Sequence, residues 1–483
     1  MEQSNSSGRQ RLAGFAVLAG ATIIAFLSAR PFAGGWNDGT RLATVECLVD
    51  YHTLSIDRSI FVSVPESRAS TLPTPYPPDD LGLMQNGTGD KLLINGQFYS
   101  DKSPVPAVLM AGVYQLMQFC TGVVARERPD LFSYAMTVTT SGLAYVVAVW
   151  CTFRLCGEVG LRLSTGLGLT ASFALATTAL PYLRHVNNHI LLLGVTAPLM
   201  LGVARLSAAS NSDGGVAFRL IALGSLAGFG YTLDLGAGPV LLMCTGIYLI
   251  LELRRFRPVM IFALAVLPWL VFHHTLNYAV GGTFKPANAN SEYFNWPGCS
   301  FNPQNMTGAW TPGSIGHCVI YALALLEGKK GFLGHNLALF LVLPAIYFCV
   351  RRRLAELPKL LYALCCCSGV WLAYALTSNN YSGACCSVRW FVPLLAPAYY
   401  LLAVFVREKP AAVSFVLTLS GWGAVMAAIM WSLGPWWGKM VPFYWQLHGA
   451  ALMSLVAVWR WRFSQVVSIR SRNSPESALP LAA

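Results

Sequence analysis

The run LAGFAVLAGATIIAFLSA, Leu12 to Ala29, contains no charged side chain. At 1.5 Å per helical residue, such a run with a few neighbours crosses the roughly 30 Å apolar layer of a bilayer. Similar runs recur at MIFALAVLPWLVF (Met260 to Phe272) and LALFLVLPAIYFCV (Leu337 to Val350). Across 483 residues the chain is 55% hydrophobic and only 11% charged, about half the charge of a soluble domain. Short alternating strands of the membrane-barrel kind do not dominate. The expected fold is therefore all-α: a polytopic transmembrane helical bundle of about 12–13 membrane segments, with interfacial helices and long loops.

The candidate segments fall near 12–30, 104–122, 132–152, 165–181, 189–206, 217–233, 236–251, 259–275, 333–349, 359–377, 390–406, 412–431 and 445–459. Arg9-Gln10-Arg11 precedes the first, which reads as an uncleaved signal anchor. The net charge of +12 does not point to nucleic acid, because the basic residues sit beside apolar runs. LELRRFRP (251–258), VRRRLAELPK (350–359), VREKP (406–410) and WRWRF (459–463) mark cytoplasmic loops. That assignment puts 276–332, 378–389 and 432–444 on the opposite face, and the basic N-terminus puts 31–103 there too. Seven candidates separate the N-terminus from the 251–258 loop, whereas matching sides require an even number. Either one candidate is shallow or re-entrant, or 217–251 crosses once. Three parts follow: a module at 1–275, an extracytoplasmic loop at 276–332, and helices with a basic tail at 333–483.

Thirteen cysteines lie mostly in apolar runs, so Cys365 to Cys367 read as small packing residues. Cys299 and Cys318 share a loop and are a candidate pair.

Polar residues of interest gather on one face. WNDGTRLATVECLVD (Trp36 to Asp50) reads as an amphipathic helix against the membrane, with Asp38 in its first turn. Asp38 either caps the helix or presents a carboxylate at the bilayer mouth. Glu46 and Asp50 share a face at four-residue spacing, and with Asp57 they are the candidates for a divalent metal ion or for plain structural carboxylates. In LLINGQFYSDKSPVPAVLMAGVYQL (Leu92 to Leu116), Tyr99, Asp101 and Lys102 precede a helix opened by Ser103 and Pro104. A lysine beside free helix N–H groups suits an anion such as phosphate, or it snorkels at the interface. YLRHVNNHI (Tyr182 to Ile190) concentrates Arg184, His185, Asn188 and His189. These either bind a sugar or phosphate or satisfy helix ends. In TSNNYSGACCSVRWFVP (Thr377 to Pro393), Arg389 breaks the positive-inside pattern and calls for a counter-charge, a lipid phosphate or a loop carboxylate.

Together, NDGTRLATVECLV and INGQFYSDKSPVPAVLMAGVYQL resemble the opening of the GT-C superfamily of polytopic membrane glycosyltransferases, the group containing bacterial aminoarabinose transferases and protein O-mannosyltransferases. Asp38 and Arg41 match the pattern D-E-x-R-Y after the first helix. Asn95, Gly96, Lys102 and Pro104 match N-G-x-x-x-x-x-K-P-P-L. Gly39, Ser103 and Val105 depart from those patterns. YLRHVNNH resembles the polar turn after the fourth helix of these enzymes, and GACCSVRWFVPLLAPAYYLL resembles their late G-x-R-Y segment.

The resemblance implies sugar transfer, with inversion, from a polyprenyl-phosphate-linked donor to a lipid, glycan or protein acceptor outside the cytoplasm, in a bacterial inner membrane. It implies Asp38 as the catalytic carboxylate and Lys102 and Arg389 as donor-phosphate ligands. Arg41, Tyr99, Arg184, His185, Asn188 and His189 would bind substrate, membrane lipids would be further partners, and metal dependence stays open. A transporter is the rival reading, although no internal repeat supports it. Another lipid-linked saccharide ligase or polymerase is a second rival.

Overall fold

The computed structural model describes residues 2–62, 83, 87–206, 213–302, 305–308, 310–311, 313–352, 354 and 356–472. The Pro-rich passage at 71–80 lies outside them. The helices are α1 (Glu2–Ser28), α2 (Trp36–Asp50), α3 (Pro104–Thr121), α4 (Pro129–Thr137), α5 (Leu143–Glu158), α6 (Leu163–Leu175), α7 (Ala179–Tyr182), α8 (Asn188–Arg205) and α9 (Asp213–Leu233). They continue as α10 (Ala237–Leu253), α11 (Phe256–Gly281), α12 (Ile315–Leu326), α13 (Val342–Arg352), α14 (Leu357–Thr377), α15 (Leu395–Glu408), α16 (Val413–Leu433) and α17 (Tyr444–Arg472). Between α2 and α3 stands one hairpin, β1 (Lys91–Ile94) against β2 (Gln97–Ser100). Its two-residue turn has Asn95 at φ 51° and Gly96 at φ 81°, the positive-φ pair that a tight hairpin requires.

The all-α polytopic bundle is as expected. Among the described residues eight helices are long and apolar enough to cross a membrane, and four shorter apolar helices accompany them. The stretch expected at 333–349 is broken into a 3-10 turn, Leu337–Leu341, followed by α13. Helix α12 lies inside the segment expected to be loop. Helix α3 is not among the long or the shorter apolar helices. Its buried face, including Val105, Met110 and Tyr114, packs on α2, leaving Leu116 and Phe119 exposed.

Burial sorts the spans. The span Arg389–Glu408 is 94% buried and forms the centre, whereas Gly8–Ser28 and Phe256–Gly281 are 22% and 17% buried. The two outer helices expose Leu12, Phe15 and Ile23, and Leu264, Leu267 and Val271, respectively. Apolar side chains on the outside of a bundle suit lipid, not water. Helix α9 meets α11 through Gly224 and Gly228: a Cβ at Gly224 would stand 2.4 Å from the Phe262 carbonyl oxygen. Small residues four apart allow that backbone approach. A π-helical turn, Val138–Gly142, joins α4 to α5 within one long span.

Helix α2 corrects the expectation of an amphipathic helix on lipid. Asn37 through Cys47 are all buried in protein.

Candidate functional site

Several parts of the chain, with His273 and Asn277 of α11 among them, converge at one end of the bundle around a cavity of about 570 Å³. Helix α2 contributes Asn37 and Arg41, β2 contributes Tyr99, and the β2–α3 connection contributes Asp101 and Lys102. Asn188 and His189 come from the start of α8, Asp234 from the α9–α10 break, and Tyr374, Arg389 and Trp390 from the late helices. These segments are far apart in sequence, and the fold alone brings them together.

A hydrogen-bonded relay ties the chamber walls. Arg41 Nη2 donates to Asn188 Oδ1 at 2.9 Å, and Asn188 Nδ2 donates to Asp234 Oδ2 at 2.9 Å. Asp234 Oδ1 accepts from Tyr374 Oη at 2.7 Å and from the Gly236 and Ala237 N–H groups at 2.8 and 3.0 Å. Asp234 thus satisfies free N–H groups at the start of α10 while holding α14 and α8. The Tyr374 ring lies flat on Trp390, with centroids 4.3 Å apart and planes 2° from parallel.

The cations differ in how their charge is met. Lys102 Nζ is held by Asp101 Oδ2 at 2.6 Å and Asp90 Oδ2 at 2.8 Å. Arg41 is 3% exposed, yet its Nε and Nη1 have no hydrogen-bond partner among the described residues. Burial pulls its pKa down to about 10, with Asp101 and Asp90 opposing the shift, so it stays charged at neutral pH. Arg389 donates its backbone N–H to Ser382 Oγ, and its guanidinium stands 5.4 Å over the Trp436 ring. Its Nε is buried without a partner. Among the described residues neither arginine forms an ion pair with a carboxylate. Among the described residues, no loop carboxylate supplies the counter-charge that the sequence calls for at Arg389.

Several sequence candidates lie elsewhere. Asp38 is not among the residues lining this chamber. Its Oδ2 accepts the Gly34 N–H at 2.6 Å and faces His185 Nδ1 at 3.4 Å, reaching back across the start of α2. Burial, reinforced by Arg184, lowers the His185 pKa to about 3, so that ring is neutral. Arg184 donates to the Trp431 and Ser432 carbonyls and clamps the end of α16. Tyr99, Asn188 and His189 do line the chamber. Asp234 stands between the two apolar halves of 217–251, where the sequence suits a helix break, but nothing in its neighbours points to Arg41.

The carboxylates considered for metal do not converge. Glu46 Oε2 accepts from Ser59 Oγ at 2.6 Å and Ile60 N at 3.1 Å. Asp50 accepts from Tyr114 and Gln118, and Asp57 from Ser55 Oγ and the Phe98 N–H. Among the described residues no group of three His, Cys, Asp or Glu side chains is arranged to hold a metal ion. The residues present do not fit one at Glu46, Asp50 and Asp57. Cys299 and Cys318, the candidate pair, are both free thiols.

Glu46 carries a pH signature instead. Burial raises its pKa to about 7 against the Ser59 and Ile60 hydrogen bonds. A carboxyl that is easier to protonate when folded stabilises the fold below its unfolded value, and that stabilisation is lost as pH rises through about 7. Thermal stability should therefore fall between pH 5 and 8, by up to about 3 kcal/mol. Glu46→Gln should flatten that fall in a melting series. An unchanged slope would remove Glu46 as its source.

Fold and site together define an all-α, multi-pass membrane protein with a cation-bearing polar chamber at one end of its helices. Its backbone is similar to that of ArnT from Cupriavidus metallidurans bound to undecaprenyl phosphate, at 14% identity and TM-score 0.48, covering 92% of this chain and 76% of that one. It is also similar to the Archaeoglobus fulgidus oligosaccharyltransferase in its apo form, at 12% identity and TM-score 0.45, covering 88% and 56%. A further likeness is to AglB of that organism in complex with an inhibitory peptide and a dolichol-phosphate, at 12% identity and TM-score 0.44, covering 92% and 56%. The chain spans little more than half the length of these archaeal proteins. No protein-family model matches the chain, and no curated protein matches it.

Proposed function

We propose that the chain is a membrane glycosyltransferase that takes a sugar from a polyprenyl-phosphate-linked donor and passes it, with inversion, to a glycan, lipid or protein acceptor. The observation that carries this reading is a polar chamber holding two guanidinium groups, Arg41 and Arg389, with no ion-pairing carboxylate among the described residues. Buried unpaired cations are costly unless a ligand supplies the charge. A phosphate that gains negative charge as the sugar departs is such a ligand. The motif order around Asp38, Lys102 and Arg389 supports the same chemistry.

In this reading Arg41 and Arg389 bind the donor phosphate, and Lys102 stands beside them with its charge already balanced. Tyr99, Asn188 and the Tyr374–Trp390 stack face the sugar. The exposed apolar side chains of the outer helices suit contact with an apolar tail. Asp38, tied to Gly34 and His185, fixes the entry to α2 and through it the position of Arg41. The basic loops support an active face outside the cytoplasm, and the motif resemblance supports a bacterial inner membrane.

The test is mass spectrometry of lipids retained by the purified protein, titrated with polyprenyl phosphate. Arg389→Ala should weaken retention about 10- to 100-fold, the value of one charge-assisted contact, and Lys102→Ala should weaken it less. Retention of bulk phospholipid alone, the same in all three proteins, would overturn the reading.

A further inference from the structure

We infer that Asp101 is the base that takes the proton from the acceptor hydroxyl, an inference that rests on the transferase reading above. A base for this reaction must face the chamber, keep an oxygen available and be held still. Asp101 lines the chamber and is 8% exposed. Lys102 Nζ fixes its Oδ2 at 2.6 Å, while its Oδ1 is buried with no hydrogen-bond partner among the described residues. It stands in the turn between β2 and the proline start of α3, a short connection pinned at both ends.

The other acids are less suited. Asp234 also lines the chamber, but its two oxygens already accept four hydrogen bonds, so it has little left to offer a substrate. Asp38 does not line the chamber. Asp90 lines it beside Asp101 and shares Lys102, which makes it the control.

The step balances without a further reactant. The acceptor O–H bond breaks and its proton goes to Asp101 Oδ1. The acceptor oxygen forms the new bond to the anomeric carbon, whose bond to the phosphate oxygen breaks. That electron pair leaves on the phosphate, beside Arg41 and Arg389. Polyprenyl phosphate departs, and Asp101 returns its proton to water.

The charged groups facing Asp101 are Lys102 and Asp90 from the hairpin side and Arg41 from α2. His273 of α11 approaches from across the chamber through Ser103, whose Oγ lies 3.3 Å from His273 Nδ1. Burial raises the Asp101 pKa to about 6, with Lys102 and Arg41 opposing and Asp90 adding to the shift. Since the ionised form is the base, turnover should fall about tenfold per pH unit below about 6.

The experiment uses the purified full chain, labelled polyprenyl-phosphoryl hexose, pentose and aminopentose as donors, and envelope extract as acceptor. Asp101→Asn retains an oxygen able to accept from Lys102 Nζ, so retention of polyprenyl phosphate should stay within about threefold of the parent. Its kcat should fall at least about 100-fold, with the acid limb of the pH profile lost. Asp101→Glu should recover part of the rate, and Asp90→Asn should keep the acid limb. Turnover and pH profile unchanged in Asp101→Asn, or the acid limb lost only in Asp90→Asn, would overturn this inference and leave the transferase reading standing. A parent that retains no donor or transfers no sugar would overturn both.

Discussion

Asp234→Ala is expected to lower thermal stability by about 3–5 kcal/mol, the cost of breaking a buried charged network by removing one partner, and to abolish retention of polyprenyl phosphate. The substitution strands the Asn188 amide, the Tyr374 hydroxyl and the Gly236 and Ala237 N–H groups, all of which now end on this carboxylate. It also frees Asn188 from its second anchor, so Arg41 loses a fixed acceptor for Nη2. Asp234→Asn separates the two effects. Its oxygen still accepts the N–H groups at the start of α10, while its amide meets that of Asn188 donor to donor. The Asn variant should therefore melt close to the parent and yet bind weakly. Melting curves and lipid titrations of both variants are the check; an alanine variant that matches the parent in both would remove Asp234 from the site.

Arg41→Met should do the opposite to stability. The guanidinium is buried with two nitrogens unpartnered among the described residues, its charge offset only by Asp101, Asp90 and Asp234 without an ion pair, and removing it relieves a desolvation cost. Methionine fills similar volume without polar atoms. The ligand-free variant should melt at or above the parent temperature, while affinity for polyprenyl phosphate falls at least about 100-fold. Gained stability with lost binding marks a residue kept for its ligand. A variant that melts lower and binds as before would mean that Arg41 serves the fold alone.

The sequence shows the bundle more clearly than the chamber. Charge-free runs such as Leu12 to Ala29 carry their own length, and length is what a bilayer selects. Helix α3 misled because its composition sits at the edge of what lipid accepts, and only its packing on α2 separates the cases. The hairpin had a local signal, Asn95-Gly96 between two short strands, which a search for spans passes over. Within the site, Arg41, Tyr99, Lys102, Asn188, His189 and Arg389 stand out in the sequence as polar residues among apolar runs, and all line one cavity. Arg184 and His185 were not distinguishable from their neighbours, because a polar turn exposes some side chains to the chamber and turns others to helix ends. Asp101 was visible only as the residue before Lys102. Its unpartnered oxygen is a property of three-dimensional burial, which no spacing encodes.

Helix α3 also bears on how the protein is made. As it leaves the ribosome, before α2 can cover it, it differs little from the segments destined for lipid. A translocon that accepted it would invert the sidedness of every helix synthesised afterwards, turning the Arg41 end of the chamber away from Arg389. In the proposed orientation the basic clusters at 251–258 and 350–359 would oppose that mis-insertion, and neutralising them should yield a fraction of molecules with reversed topology.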